Sequence, residues 1–342
     1  MRKFEGFYRG INLGGWLSQG SLEKEHLDTF ITEDDIIAIK NMGIDHIRIP
    51  VDFELIEDEN GALIEEGHTY IRKGIDWCLK HGFNVVLDLH KTAGYVFDDA
   101  AYSNGFFDNT ELQERFINLW KELATRYGNE PDRVALELLN EVVDPSVADK
   151  WNAIARRAIQ AIREITPDSW IIVGGTRNNS VVSVKELGAP YDERIAYTFH
   201  CYEPLIFTHQ GAYWIENMPE DYRISYPDTI GHYVQETQRL IDPAFAYPIK
   251  HISAGTTGKE FFRKFFVDAI EVAEKYNVPL YCGEYGMIDR ANPEDVLRWF
   301  EDIHAVFEEF QIARTVWTYK EKDFGIIGDH YKPIWDKLIK CL

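Results

Sequence analysis

Asn84–His90 reads NVVLDLH, Glu111–Tyr127 reads ELQERFINLWKELATRY and Val134–Asn140 reads VALELLN. An apolar run, a segment with apolar residues at helical spacing and a second apolar run make one strand–helix–strand unit, whose strands lie parallel under the helix. The same alternation extends in both directions. Further strand candidates are Arg9–Leu13, Ile44–Pro50, Trp170–Gly174, Ile195–Tyr202, Leu280–Glu284 and Thr315–Tyr319. Helices are expected near Thr32–Met42, Tyr70–His81, Ala148–Ile165, Val181–Leu187, Lys259–Tyr276, Pro293–Phe310 and Lys332–Leu342. Thr32 followed by Asp35, and Pro293 at a helix start, are plausible caps. Eight strand–helix pairs predict a closed (β/α)8 barrel (a TIM barrel, α/β class) rather than a doubly wound sheet, which commonly has about five or six strands.

The spacing breaks after Tyr202. An aromatic stretch there is far longer than an ordinary βα loop, so residues 203–258 are expected to form a subdomain inserted over the active-site face. A second long connection, Lys91–Asn109, is rich in Tyr, Phe, Asp and Asn. With no internal repeat, low-complexity tract or linker, residues 1–342 read as a single catalytic domain.

Composition narrows the function. A hydrophobic fraction of 45%, with 20 Phe, 18 Tyr and 9 Trp, excludes disorder. A formal charge of -21 repels phosphate backbones and anionic lipid heads, which argues against nucleic-acid or membrane partners. Cys78, Cys201, Cys282 and Cys341 are too dispersed for a disulfide framework or a Cys-x-x-Cys metal site. The N-terminus lacks the apolar core of a signal peptide, so the expectation is a soluble, cytoplasmic monomer, or a secreted one if a signal has been trimmed.

In such a barrel the reacting groups stand at the C-terminal ends of the strands. Here those ends carry Arg48, His90, Asn140 with Glu141, His200 with Tyr202, Glu284 and Trp317. Alternation puts His200 and Tyr202 on one face of their strand and Cys282 and Glu284 on one face of theirs. Two glutamates on separate strands of one rim are the minimal equipment for glycoside hydrolysis. Arg48 and Asn140 could hold a carboxylate ionised and bond a sugar hydroxyl. Tyr202 could donate to the nucleophile, His200 could sense the acid's charge, and Trp317 could floor a pyranose ring. No His/Asp/Cys group has metal-ligand spacing, and no cofactor is expected.

The segments INLGGW, HIRIP, LDLH, ELLNE, FHCY, GEYG and VWTY, in that order, resemble the strand motifs of glycoside hydrolase family 5, over about Ile11 to Phe324. The resemblance implies a retaining glycosidase with Glu141 as acid/base and Glu284 as nucleophile. It also implies Arg48, His90, Asn140, His200, Tyr202 and Trp317 as the surrounding set. The inserted segment, with FTHQ and Trp214, is similar to that of bacterial single-domain endoglucanases acting on β-1,4-glucan and mixed-linkage β-1,3-1,4-glucan. One departure is Lys91, where many members carry a second histidine after the one ending strand three. Trp16, Tyr95, Phe207, His209, Trp214 and Asp323 are candidate subsite residues, about half of the loop aromatics being expected to serve instead as loop core. The expected substrate is a β-glucan oligo- or polysaccharide. Alternatives are a mannanase or glucomannanase, an exo-acting β-glucosidase or β-1,3-glucanase, a metal-dependent barrel hydrolase, and a barrel that binds glycans without cleaving them.

Overall fold

The computed structural model describes residues 1–98, 105–252 and 255–342; parts of both long connections, residues 99–104 and 253–254, lie outside the described residues. Eight parallel strands close into a barrel in sequence order. They are β1 Arg9–Asn12, β2 His46–Val51, β3 Asn84–Leu89, β4 Val134–Glu137, β5 Ile171–Gly174, β6 Ile195–Cys201, β7 Leu280–Tyr285 and β8 Ala313–Val316. Each strand is buried on both sides, so each reads as a nearly continuous apolar run. Outward-facing residues such as Ile47, Ile49, Val85, Leu87 and Leu136 pack against the helices. The alternate residues fill the barrel.

The floor of the barrel is aromatic and plugged from below. Phe4 and Phe7 stack at 4.5 Å and pack with Trp170, Tyr281, Val86, Ala135 and Ile172. Above them His46 lies between Tyr281 and Thr315, with its Nδ1 on Asp45, and so belongs to the barrel core far from the C-terminal ends of the strands. The next layer up is polar and carries Asn12, Arg48, Asp88 and Glu137, all fully buried.

The outer ring follows the expected periodicity with three departures. The helix expected over Lys259–Tyr276 is kinked at Phe266 into Lys259–Phe265 and Val267–Tyr276. The kink turns Phe262 edge-on to Trp299 while Phe266 stacks on Phe307. The C-terminal helix is a 3₁₀ turn, Asp329–Ile334, followed by a short α turn, Trp335–Leu338, because Pro333 lacks an amide to continue an α ladder. The Val181–Glu186 segment is likewise 3₁₀. The caps at Thr32 and Pro293 form. The Asp35 carboxylate accepts from Thr32 N at 2.8 Å, and Asn292 caps the helix that Pro293 opens. Buried tryptophans tie the helices to the strand exits, with Trp120 donating to Leu138 O and Trp151 to Gly174 O. Those bonds give buried carbonyls at the strand exits a partner.

The segment after β6 carries the helices Leu205–Thr208, Ile230–Leu240 and Pro243–Lys250. Among the described residues no helix is long and apolar enough to cross a membrane.

Candidate active site

Strand geometry decides which carboxylates face the lumen, and β7 breaks the simple rule. Phe199 of β6 pairs with Cys282, yet the next residue, His200, pairs with Glu284, so β7 carries one extra residue at Gly283. This β-bulge corrects the expected shared face. Cys282 joins Tyr285 in the core between barrel and helices, while Glu284 turns inward. Only glycine fits at the bulge, since a Cβ on Gly283 would lie 2.8 Å from Thr198 Oγ1 and 3.2 Å from His200 Nε2.

Arg48 is the hub. Its guanidinium donates to Glu137 Oε2 at 2.7 Å, Glu284 Oε1 at 2.9 Å, and Asn12 Oδ1 and Asn140 Oδ1 at 3.0 Å. It also lies 3.0 Å from Asp88 Oδ2. Burial alone would weaken its charge, but the carboxylates of Asp88, Glu137 and Glu284 outweigh that and hold it firmly protonated. Burial raises the Asp88 carboxyl to about 7 and pushes Glu137 up as well, with Arg48 opposing in both cases. Asp88 in turn takes His90 Nδ1 at 2.6 Å. Burial lowers the His90 imidazole to about 3, so it stays neutral, and its ring stacks parallel on Trp317 at 5.8 Å.

The two candidate glutamates share one chamber. Glu284 Oε2 accepts from the Tyr202 hydroxyl at 2.8 Å. Glu141 Oε1 meets His200 Nδ1 at 2.8 Å, Glu141 Oε2 accepts from Asn178 Nδ2 at 3.0 Å, and the Glu141 carbonyl accepts from the Tyr95 hydroxyl at 2.9 Å. His200 Nδ1 is also 3.7 Å from Glu284 Oε2. One carboxylate oxygen from each of Glu141 and Glu284 and one ring nitrogen of His200 lie within 4.8 Å of one another. Burial, rather than neighbouring negative charge, is the main reason the Glu141 carboxyl rises to about 7; the Asn178 bond pulls it the other way. About an eighth of its side chain stays open, at 13%. Burial also lowers the His200 imidazole below its ordinary value.

The floor of the chamber is Trp317, 8% exposed and packed with Ala212, Ile288 and Phe324. Gly14 makes room for it, since a Cβ there would lie 2.8 Å from the indole. Outward from Phe324 the aromatic surface continues through His209 to Trp214 and Tyr213, which are 46% and 63% exposed.

Several candidate subsite residues have other work. Trp16 is a correction: fully buried, it donates to Leu27 O and stacks on Trp77, so it is helix-to-barrel core. Phe207 is a second one, buried and stacked on Tyr226 within the segment after β6. Tyr95 is buried and spends its hydroxyl on the loop of Glu141, bonding that residue's carbonyl and the amide of Val143. His209 lies half-buried beneath Trp214. Asp323 accepts from Arg290 at 2.7 Å. Lys91 reaches 3.6 Å from Asp52 and 3.8 Å from Asp98. Tyr102 and the other residues at 99–104 of the expected cleft wall lie outside the described residues.

Four site residues escaped the sequence reading. Asp88 shares the face of His90, and Glu137 and Asn12 share the faces that point into the barrel, so strict alternation along β1, β3 and β4 would have found them. Asn178 carried only the weaker signal of an Asn-Asn pair, which favours left-handed backbone.

A sequence profile described as cellulase (glycosyl hydrolase family 5) matches residues 11–323. Cellodextrinase A of Ruminococcus flavefaciens is 43% identical over 314 residues, covering 92% of this chain and 86% of the relative. Endoglucanase C of Acetivibrio thermocellus is 40% identical over 343 residues, covering 98% of each. Endoglucanase Cel5A of Thermotoga maritima superposes with a TM-score of 0.76 at 24% identity over 99% of both chains. The chain belongs to glycosyl hydrolase family 5 and is a glycoside hydrolase.

Proposed function

We propose that this family 5 enzyme is a retaining endo-β-1,4-glucanase acting on β-1,4-glucan and mixed-linkage β-1,3-1,4-glucan. The observation that carries the reading is the pair Glu141 and Glu284, with carboxylate oxygens within 4.8 Å of each other and different hydrogen-bond partners, Arg48 and Tyr202 on Glu284 against His200 and Asn178 on Glu141. That spacing favours direct attack, since an inverting pair stands about 6.5–9.5 Å apart to admit a water. Arg48 and the Tyr202 hydroxyl stabilise negative charge on Glu284, which suits a nucleophile. Glu141, raised to about 7 by burial, keeps a proton in mildly acidic solution, which suits a general acid.

In the first step a Glu284 oxygen bonds the anomeric carbon as the glycosidic C–O bond breaks, and the Glu141 proton passes to the departing oxygen. In the second, a water oxygen bonds that carbon, Glu141 takes the water's proton, and the ester to Glu284 is released. Trp317 stacks under the sugar at the point of cleavage, and Asn140, held by Arg48, is placed to bond its 2-hydroxyl. Support for the substrate comes from endoglucanase C, similar along the whole chain. A second reading, action on short cello-oligosaccharides, is favoured by the 43% identity to cellodextrinase A.

The test is reducing-end release with product sizing on mixed-linkage glucan, carboxymethyl cellulose, glucomannan, mannan and β-1,3-glucan, with Glu284→Gln as control. Short oligosaccharides from the β-1,4-containing glucans, absent with the control and unchanged by a chelator, support the proposal. Activity confined to cellodextrins moves the reading to the second one, and full activity of Glu284→Gln refutes the nucleophile.

A further inference from the structure

Glu141 is held at three points, and one of them comes from a segment of unusual backbone. After β5 the chain enters Thr176–Asn179, where Arg177, Asn178 and Asn179 have φ of 55°, 55° and 53°. The ψ angles of Arg177 and Asn178, 47° and 48°, place both in the left-handed helical region. A residue with a Cβ crowds its own carbonyl in that region, and asparagine is among the few that tolerate it. Three such residues in a row persist only where the surroundings fix them.

Those surroundings are specific. Gly174 at the end of β5 leaves the space Asn179 occupies, since a Cβ there would lie 2.2 Å from Asn179 Oδ1. The Asn178 amide donates to the Val142 carbonyl at 3.1 Å, joining this turn to the residue after Glu141. The Arg177 guanidinium sits 4.7 Å over the ring of Tyr247, in the Pro243–Lys250 helix of the insertion. A left-handed turn anchored on both sides thus directs one side chain, with Asn178 Nδ2 donating to Glu141 Oε2 at 3.0 Å.

We propose that Asn178 is a positioning residue for Glu141, its amide orienting the carboxyl and favouring the ionised form that must accept a proton from water in the second step, and that the left-handed turn at residues 177–179 exists to aim it. The inference rests on the retaining reading above and deepens it. A neutral donor on a carboxylate stabilises the charged state, so loss of the amide raises the pH at which Glu141 ionises. It also leaves the base less available and less well aimed, which slows hydrolysis of the glycosyl-enzyme more than its formation.

The experiment compares wild type with Asn178→Gly and Asn178→Asp, recording the pH profile of kcat/KM on a cello-oligosaccharide, whose poor leaving group needs the Glu141 proton, kcat and KM on an aryl β-cellobioside with a good leaving group, where the second step limits turnover, and thermal melting. Glycine accepts the left-handed backbone, and aspartate keeps both the shape and the tolerance of asparagine while removing the donor. The alkaline limb is expected to move up by about half a pH unit or more in Asn178→Gly and further in Asn178→Asp, where a second negative charge is added. In both variants kcat and KM fall together, several-fold, as the glycosyl-enzyme accumulates. An alkaline limb unmoved in Asn178→Asp overturns the proposal, and so does a loss of kcat/KM without a shift in the profile. If Asn178→Gly does not fold, the isosteric Asn178→Asp decides alone. Glu284→Gln separates the two levels: if it is inactive while the Asn178 variants are unshifted, only this inference fails, and if it is active the retaining reading fails first.

Discussion

Replacing Arg48 by methionine removes the one cation of the polar layer while nearly keeping its volume. The side chain is fully buried and within 3.0 Å of three carboxylates, on Asp88, Glu137 and Glu284. Removing one partner of a buried ion pair costs about 3–5 kcal/mol, because the remaining charge is left without compensation. At roughly 1.4 °C per kcal/mol for a chain of this size, the melting temperature should fall by about 4–7 °C at neutral pH. The pH dependence identifies the cause. Asp88 and Glu137 already have folded-state values raised by burial and held down by Arg48. Without Arg48 they rise further, and an acid whose folded value exceeds its unfolded value binds more protons when folded, so stability is lost as pH rises through that window. The deficit of Arg48→Met should therefore shrink on going from pH 7.5 to pH 5, where the buried carboxyls take up protons. Denaturant unfolding of both proteins at the two pH values measures it. An equal deficit at both would assign the loss to packing and refute the electrostatic reasoning.

The wild-type kcat/KM should show an alkaline limb near pH 7, set by Glu141. At pH 6 a group of that value is about nine-tenths protonated, against about one-thirtieth at its ordinary value, so a limb at or below pH 5 would contradict the burial argument. Phe207→Ala should destabilise by about 3–5 kcal/mol while leaving KM on short substrates unchanged, because its ring packs on Tyr226 inside the insertion; a selective rise in KM would return it to the cleft. Trp214→Ala should leave the melting temperature unchanged and lower kcat/KM on long oligosaccharides by roughly 2–10-fold, the worth of one exposed ring contact, with no change on cellobiosides. Equal losses on long and short substrates would argue against an outlying sugar platform.

Both candidate glutamates were legible because a parallel barrel turns strand order into geometry. Once Val134–Asn140 and Leu280–Glu284 are read as strands, the acidic residues at their ends must meet at one rim. His90, His200 and Trp317 followed from the same rule. It faltered at β7, where a two-residue period put Cys282 and Glu284 on one face, and the extra residue at Gly283 separated them. Trp16 and Phe207 were misplaced for a different reason. An aromatic beside a cleft-forming segment has the same sequence signature whether it lines the cleft or supports it, and only burial distinguishes the two.

The barrel, the order of its strands and the residues at their exits can be read along the chain, since hydrophobic period and strand–helix alternation are local properties. Tertiary structure alone decided the chemistry of those residues. Whether Glu141 carries a proton depends on how far the surrounding loops exclude water, and Glu284 is held by an arginine 236 positions away. The amide of Asn178 reaches Glu141 through a left-handed turn that neighbouring elements hold in place. Ionisation and aim are set by burial and by contacts between distant segments, and neither is a periodic property that can be read along one chain.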